Sequence, residues 1–92
     1  MRKIEQSMNR AIASGRDWAN ANTRVEHTAE GSALVYLHGN HIATVRSDGS
    51  VYANPYTFAS WPTRTTASRL RALGVDARIS DGAPLIDGGW IL

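Results

Sequence analysis

Three dipeptides limit this chain more than anything else in it. Gly39-Asn40, Asp48-Gly49 and Asp81-Gly82 each stand between two short runs rich in β-branched and aromatic residues. Such pairs accept the positive φ that a tight turn demands, so each reads as a hairpin joining antiparallel strands. Ala33–His38 and His41–Arg46 flank the first, and Ser50–Asn54 follows the second. Thr23–Ala29 precedes a further turn signal at Glu30-Gly31-Ser32. The reading is an antiparallel meander of three to four strands. Val75–Ser80 and Ala83–Ile86 form a separate C-terminal hairpin about Asp81-Gly82.

Two segments change period from 2 towards 3.6. Over residues 3–14, Ile4, Met8, Ala11 and Ile12 recur at helical spacing, and Gly15 is placed to cap the end. The second helix begins near Ser60-Trp61-Pro62-Thr63, runs through Leu73 and stops at Gly74, with Ala67, Leu70 and Leu73 as its buried stripe. Residues 16–23, with Trp18, read as a connection, and residues 55–62 as a loop carrying Tyr56, Phe58 and Trp61. The expected fold is α+β: two helices over one face of the meander, plus the C-terminal hairpin, in a single domain spanning residues 1–92. The apolar end Trp90-Ile91-Leu92 is expected to dock on the body, because a free apolar tail gains nothing in water.

Composition closes off several classes of function. The 92 residues include no cysteine, which excludes disulfides, thiol nucleophiles and thiolate metal sites. Apolar runs are too short to span a bilayer, and no signal-peptide segment follows Arg2 and Lys3. The expectation is a cytoplasmic protein with no membrane partner. No glycine-rich phosphate loop and no strand–Ser–helix elbow is present, and the carboxylates are scattered over expected loops and exposed strand faces. The chain therefore reads as a binding protein and not as an enzyme, without a cofactor.

The net charge of +2 is an average over segregated blocks. Residues 1–16 sum to +3 and residues 63–78 to +3, while residues 17–62 and the tail each sum to −2. Nine of the ten basic residues are arginine, the side chain whose planar fork fits phosphate and carboxylate. In the second helix, Arg64 and Arg71 share a face and Arg69 emerges on the other flank of the apolar stripe. With Thr63, Thr65, Thr66 and Ser68 near its start, this helix suits a phosphate backbone or an acidic protein surface. Arg64, Arg69, Arg71 and Arg78 are the leading contact candidates.

The hairpin tip is the second candidate, with His38, Asn40 and His41. If Gly39-Asn40 forms the turn, His38 and His41 stand opposite each other with Cβ atoms ~5 Å apart. A zinc site needs three or four protein ligands, and His27 lies roughly 10–13 Å away along the sheet, so no metal site is expected. The same register puts Leu34, Tyr36, Ala43, Val45 and Tyr52 on one face, and Val35, Leu37, Ile42, Thr44 and Val51 on the other. Either face is apolar enough to be the core. If the tyrosine face is open, it can stack bases as RNA-binding sheets do.

Three strings occur together: Asn22-Thr23-Arg24-Val25, Leu37-His38-Gly39-Asn40-His41-Ile42-Ala43, and Trp61-Pro62-Thr63-Arg64-Thr65-Thr66 leading into Arg69-Leu70-Arg71-Ala72-Leu73. Together they resemble small proteins encoded by bacteriophages and other mobile elements, some of which are anti-CRISPR proteins. The resemblance covers roughly residues 18–74. It implies an inhibitor that binds the host CRISPR-Cas surveillance complex, contacts its protein and guide RNA, and blocks target DNA. The alternative function is a small phage regulator that binds DNA or RNA through the arginine-bearing helix.

Overall fold

Every turn signal becomes a hairpin, and the turns lay five strands side by side. The computed structural model describes residues 1–87 and the backbone of residues 89–90. Strands β1 (Trp18–Asn20), β2 (Thr23–His27), β3 (Ala33–Leu37), β4 (Asn40–Val45) and β5 (Val51–Ala53) form one antiparallel sheet in sequence order. Strand β1 extends the expected meander by one edge strand. Its three residues, in the segment read as a connection, are too few to show a period.

Two turns share one construction. The Thr28 N–H donates to the Ser32 carbonyl, and the Arg46 N–H to the Ser50 carbonyl. Each closes a three-residue loop ending in glycine at φ +89, at Gly31 and Gly49. This is the three-residue hairpin whose last position requires the left-handed region. The β3–β4 turn is the two-residue form, and here the register expected from sequence is corrected. Leu37 pairs with Asn40 and Tyr36 with His41, so the turn residues are His38 (φ 51) and Gly39 (φ 78). A type I′ turn needs positive φ at both central positions, and His-Gly fills them in the order that Asn-Gly usually does. His38 and His41 consequently do not face each other.

A bulge in β4 then resets the faces. Val35 pairs with Ala43 while Tyr36 pairs with His41, which leaves Ile42 as the extra residue. Ile42 and Ala43 are both buried, and Thr44 falls opposite Leu34. Ala43 and Val45 thus belong to the core face, not the tyrosine face, and Thr44 moves the other way.

The helices cover that core face. Helix α1 (Lys3–Ser14) buries Met8 and Ala11, and Gly15 ends it in the left-handed region with its N–H bonded to the Ala11 and Ile12 carbonyls. Helix α2 (Pro55–Ser60) occupies what reads as a loop. The Asn54 side chain accepts from the Tyr56 and Thr57 N–H groups, and Pro55 sits in the first turn, so Asn-Pro acts as a helix start. Helix α3 (Arg64–Ala72) is capped by Thr63, whose hydroxyl accepts from the Thr66 N–H. Met8, Phe58, Ala67 and Leu70 meet Val25, Val35, Leu37 and Ile42 in one core. Strands β6 (Ala77–Ser80), β7 (Ala83–Ile86) and β8 (Gly89–Trp90) make a second antiparallel sheet beside α2 and α3. The fold is α+β, with a third helix and an added edge strand in each sheet. Docking of the Trp90-Ile91-Leu92 end lies outside the described residues.

Candidate interaction surfaces

Among the described residues, no helix or second strand layer covers the far side of the five-stranded sheet. Along β2 and β3, Thr23, Val25, Ala33, Val35 and Leu37 are buried, whereas the alternating Arg24, Glu26, Leu34 and Tyr36 are not. His41 and Thr44 of β4 and Tyr52 of β5 continue the same face, with Tyr52 40% exposed. Alternation of this kind is the mark of an antiparallel sheet packed on one side only. Register, and not sequence proximity, assembles the chemistry here: Arg24 pairs with Tyr36, Tyr36 with His41, and Thr44 with Tyr52.

The side chains on this face are organised among themselves. The Arg24 guanidinium lies 4.4 Å from the centre of the Tyr36 ring, in cation–π contact. A Glu26 carboxylate oxygen, 3.2 Å from Arg24, steadies that guanidinium. The His41 ring stands 5.7 Å from Tyr36, tilted by 60°. His41 is fixed from both sides, Nε2 at 2.9 Å from the Thr44 hydroxyl and Nδ1 at 3.4 Å from the Asn54 side-chain nitrogen. Arg46 approaches the Tyr52 ring at 5.9 Å. Two tyrosines, an imidazole and two guanidiniums therefore share one accessible surface.

The residues expected from sequence disperse. Arg69 lies inside the protein, 3% exposed, with Nη1 at 2.7 Å from Glu5, itself 2% exposed. Its Nε donates to the Thr23 hydroxyl at 3.1 Å, and Nη2 to the Asn22 side-chain oxygen Oδ1 at 3.4 Å. Arg69 ties α1, α3 and the β1–β2 turn together and is unavailable to a partner. Burial pushes the Glu5 carboxyl up. The Ser68 and Arg69 side chains, the Arg2 N–H and the charge of Arg69 outweigh it and hold Glu5 below its usual range. Arg71 donates to the Ala77 carbonyl at 2.9 Å, and exposed Arg78 pairs with Asp76 at 2.9 Å. Arg64 is exposed at the start of α3. Buried Arg69 thus shares no surface patch with Arg64, Arg71 and Arg78.

His38 and Asn40 stay accessible and meet α3 from across the fold. Together with Leu37, Ile42, Trp61 and Thr65 they line a mostly apolar cleft of about 410 Å³. At the other end of the sheet, the Asp17 carboxylate accepts from the His27 N–H at 2.8 Å and contacts Nδ1 at 3.3 Å. These two contacts, the backbone one first, depress the Asp17 carboxyl. His27 Nε2 is buried without a partner among the described residues, which suits a ring protonated at Nδ1. No group of three or more His, Asp or Glu among the described residues is placed to hold a metal, and no described helix is long and apolar enough to cross a membrane.

Sequence reasoning missed Arg24 and Arg46 as surface groups and Glu5 as an interior one. Alternation of Arg24 with Thr23 and Val25, and the place of Arg46 at the end of its strand, carried the first signal. Glu5, at i−3 from Met8 and i−7 from Ile12, carried the second.

Fold and surface together define an α+β protein of two antiparallel sheets, the larger one open on a face of aromatic and arginine side chains. Residues 1–91 match the family described as Kyanoviridae Gp96 protein, and the chain belongs to that family of small bacteriophage proteins. No curated protein and no solved structure matches it.

Proposed function

We propose that this phage protein binds single-stranded nucleic acid across the open sheet face, without catalysing a reaction. The observation that carries the reading is the Arg24–Tyr36–His41 row on a sheet surface from which the helices are absent. Unpaired bases expose π faces that stack on tyrosine and guanidinium planes, and every base has such a face. Duplex DNA, by contrast, is read by an element inserted in a groove. The arginine-bearing helix is poorly suited to that, since Arg69 is committed to Glu5 inside the fold.

Arg24 and Arg46 are the cations of the face. Neutralising two phosphates gives a salt dependence with a slope of about −1.4 for a single strand. The test is a gel shift of the purified protein with single-stranded and duplex oligonucleotides, in a salt series. Retention of the single strand with a shallow slope is expected. An absence of binding to any free nucleic acid overturns the reading. Co-purification with a CRISPR-Cas surveillance complex in that case favours the inhibitor implied by the sequence resemblance.

A further inference from the structure

The cleft at the β3–β4 hairpin tip lies on the helix side of the sheet, opposite the open face, and the two surfaces meet only round the tip. Leu37 and Asn40, which border the cleft, are the pair next to Tyr36 and His41. At ~3.3 Å per residue, the tip lies one residue beyond Tyr36 and His41, so a strand stacked there reaches the cleft by turning round His38 and Gly39. We infer that the cleft between the hairpin tip and Trp61 accepts one nucleobase; this rests on the single-strand reading of the sheet.

The chemistry of the wall selects that occupant. About 410 Å³ falls in the range of small-ligand sites, about 300–1,000 Å³. It does not suit a docked helix, about 10 Å across. Leu37 and Ile42 supply an apolar floor, and the Trp61 indole, 57% exposed, supplies a flat stacking surface. The rim carries the Asn40 amide, the His38 imidazole and the Thr65 hydroxyl, none of whose side chains is hydrogen-bonded among the described residues. A purely aliphatic occupant would desolvate those groups and leave them unmatched. A base matches both parts, because its faces are apolar and its edge alternates donors and acceptors. An amide that both donates and accepts is the side chain best able to read such an edge.

The experiment is a nuclear magnetic resonance titration of the full chain, with two kinds of probe. The first arm adds each of the four ribonucleoside monophosphates. The second adds a single-stranded octanucleotide, intact or with all bases removed. The Trp61 indole N–H and Asn40 amide signals should move saturably with the monophosphates and with the intact octanucleotide, and stay still with the abasic one. Trp61→Ala should weaken octanucleotide binding about tenfold, the value of one stacked base. Asn40→Ala should weaken it while leaving the spectrum folded. Octanucleotide binding that moves Tyr36 and His41 but neither cleft signal overturns the cleft and keeps the sheet. Monophosphates that move the cleft signals when no octanucleotide binds the sheet support the cleft as a nucleotide site and overturn the sheet reading. No response to either probe overturns both.

Discussion

Replacing Arg69 should unfold this protein far more readily than it disturbs any partner. Its guanidinium and the Glu5 carboxylate are 3% and 2% exposed, and they meet at 2.7 Å. Truncation to alanine strands a buried carboxylate with only the Ser68 hydroxyl and the Arg2 N–H, and it frees Thr23 and Asn22 from their donors. Breaking a buried pair on one side costs about 3–5 kcal/mol. A domain of this length holds roughly 5–14 kcal/mol in all. The loss is therefore a large share of the total and should lower Tm by about 15–30 °C. Urea unfolding followed by circular dichroism measures it. Arg69→Lys should recover only part, since an ammonium cannot reach Glu5, Thr23 and Asn22 in one planar fork. Glu5→Leu/Arg69→Met should recover most of the loss, because it removes both charges and leaves none uncompensated. A change under about 0.5 kcal/mol in Arg69→Ala, the size of an ordinary surface substitution, would refute the argument.

Two further outcomes follow from the same geometry. Glu5 titrates below its ordinary value of 4.5 in the folded protein. Its contribution to stability is complete above that value and is lost as pH falls through the lower folded one. Urea midpoints should hardly change on this account from pH 7 to 5 and should drop below about pH 4.5. Glu5→Gln should be weaker at pH 7 and lose less on acidification; an equal acid response in both proteins contradicts the assignment. At the β3–β4 turn, His38→Asn should raise Tm by a few degrees, because asparagine accepts φ 51 more readily. Gly39→Ala should cost about 1 kcal/mol from the backbone alone, as nothing lies within 4 Å of an added Cβ. Calorimetry of the two variants distinguishes this turn from one centred on Gly39-Asn40, in which position 38 would be indifferent to asparagine.

The hairpins were legible because glycine paired with aspartate, asparagine or histidine has few conformational alternatives. The turn at the tip was ambiguous for the same reason. His38-Gly39 and Gly39-Asn40 both satisfy the demand for positive φ, and only the strand register, with Leu37 opposite Asn40, separates them. The bulge at Ile42 was not legible, since Ile42-Ala43 resembles any other strand pair of residues. It is this bulge that puts Ala43 and Val45 in the core and leaves Thr44 beside His41. The burial of Arg69 was hidden by distance, because its partner Glu5 lies 64 positions earlier in the chain. Helical spacing put Arg69 on a flank and could not say that α1 would cover that flank. The open face was half visible: the tyrosines were seen to share it. Arg24 joined them only once the β2–β3 register paired it with Tyr36.

The claim that the open sheet face is the working surface is tested most directly by two double variants compared in one assay. Fluorescence anisotropy of a labelled single-stranded oligonucleotide is read against Arg24→Ala/Tyr36→Ala and against Arg64→Ala/Arg71→Ala, each with its Tm recorded. Loss of one stacking platform and one phosphate contact should weaken the sheet variant by about 5- to 150-fold, about 1–3 kcal/mol, with its fold retained. The helix variant should bind within about threefold of the wild type. Wild-type affinity in the sheet variant, or a larger loss in the helix variant, would contradict the account.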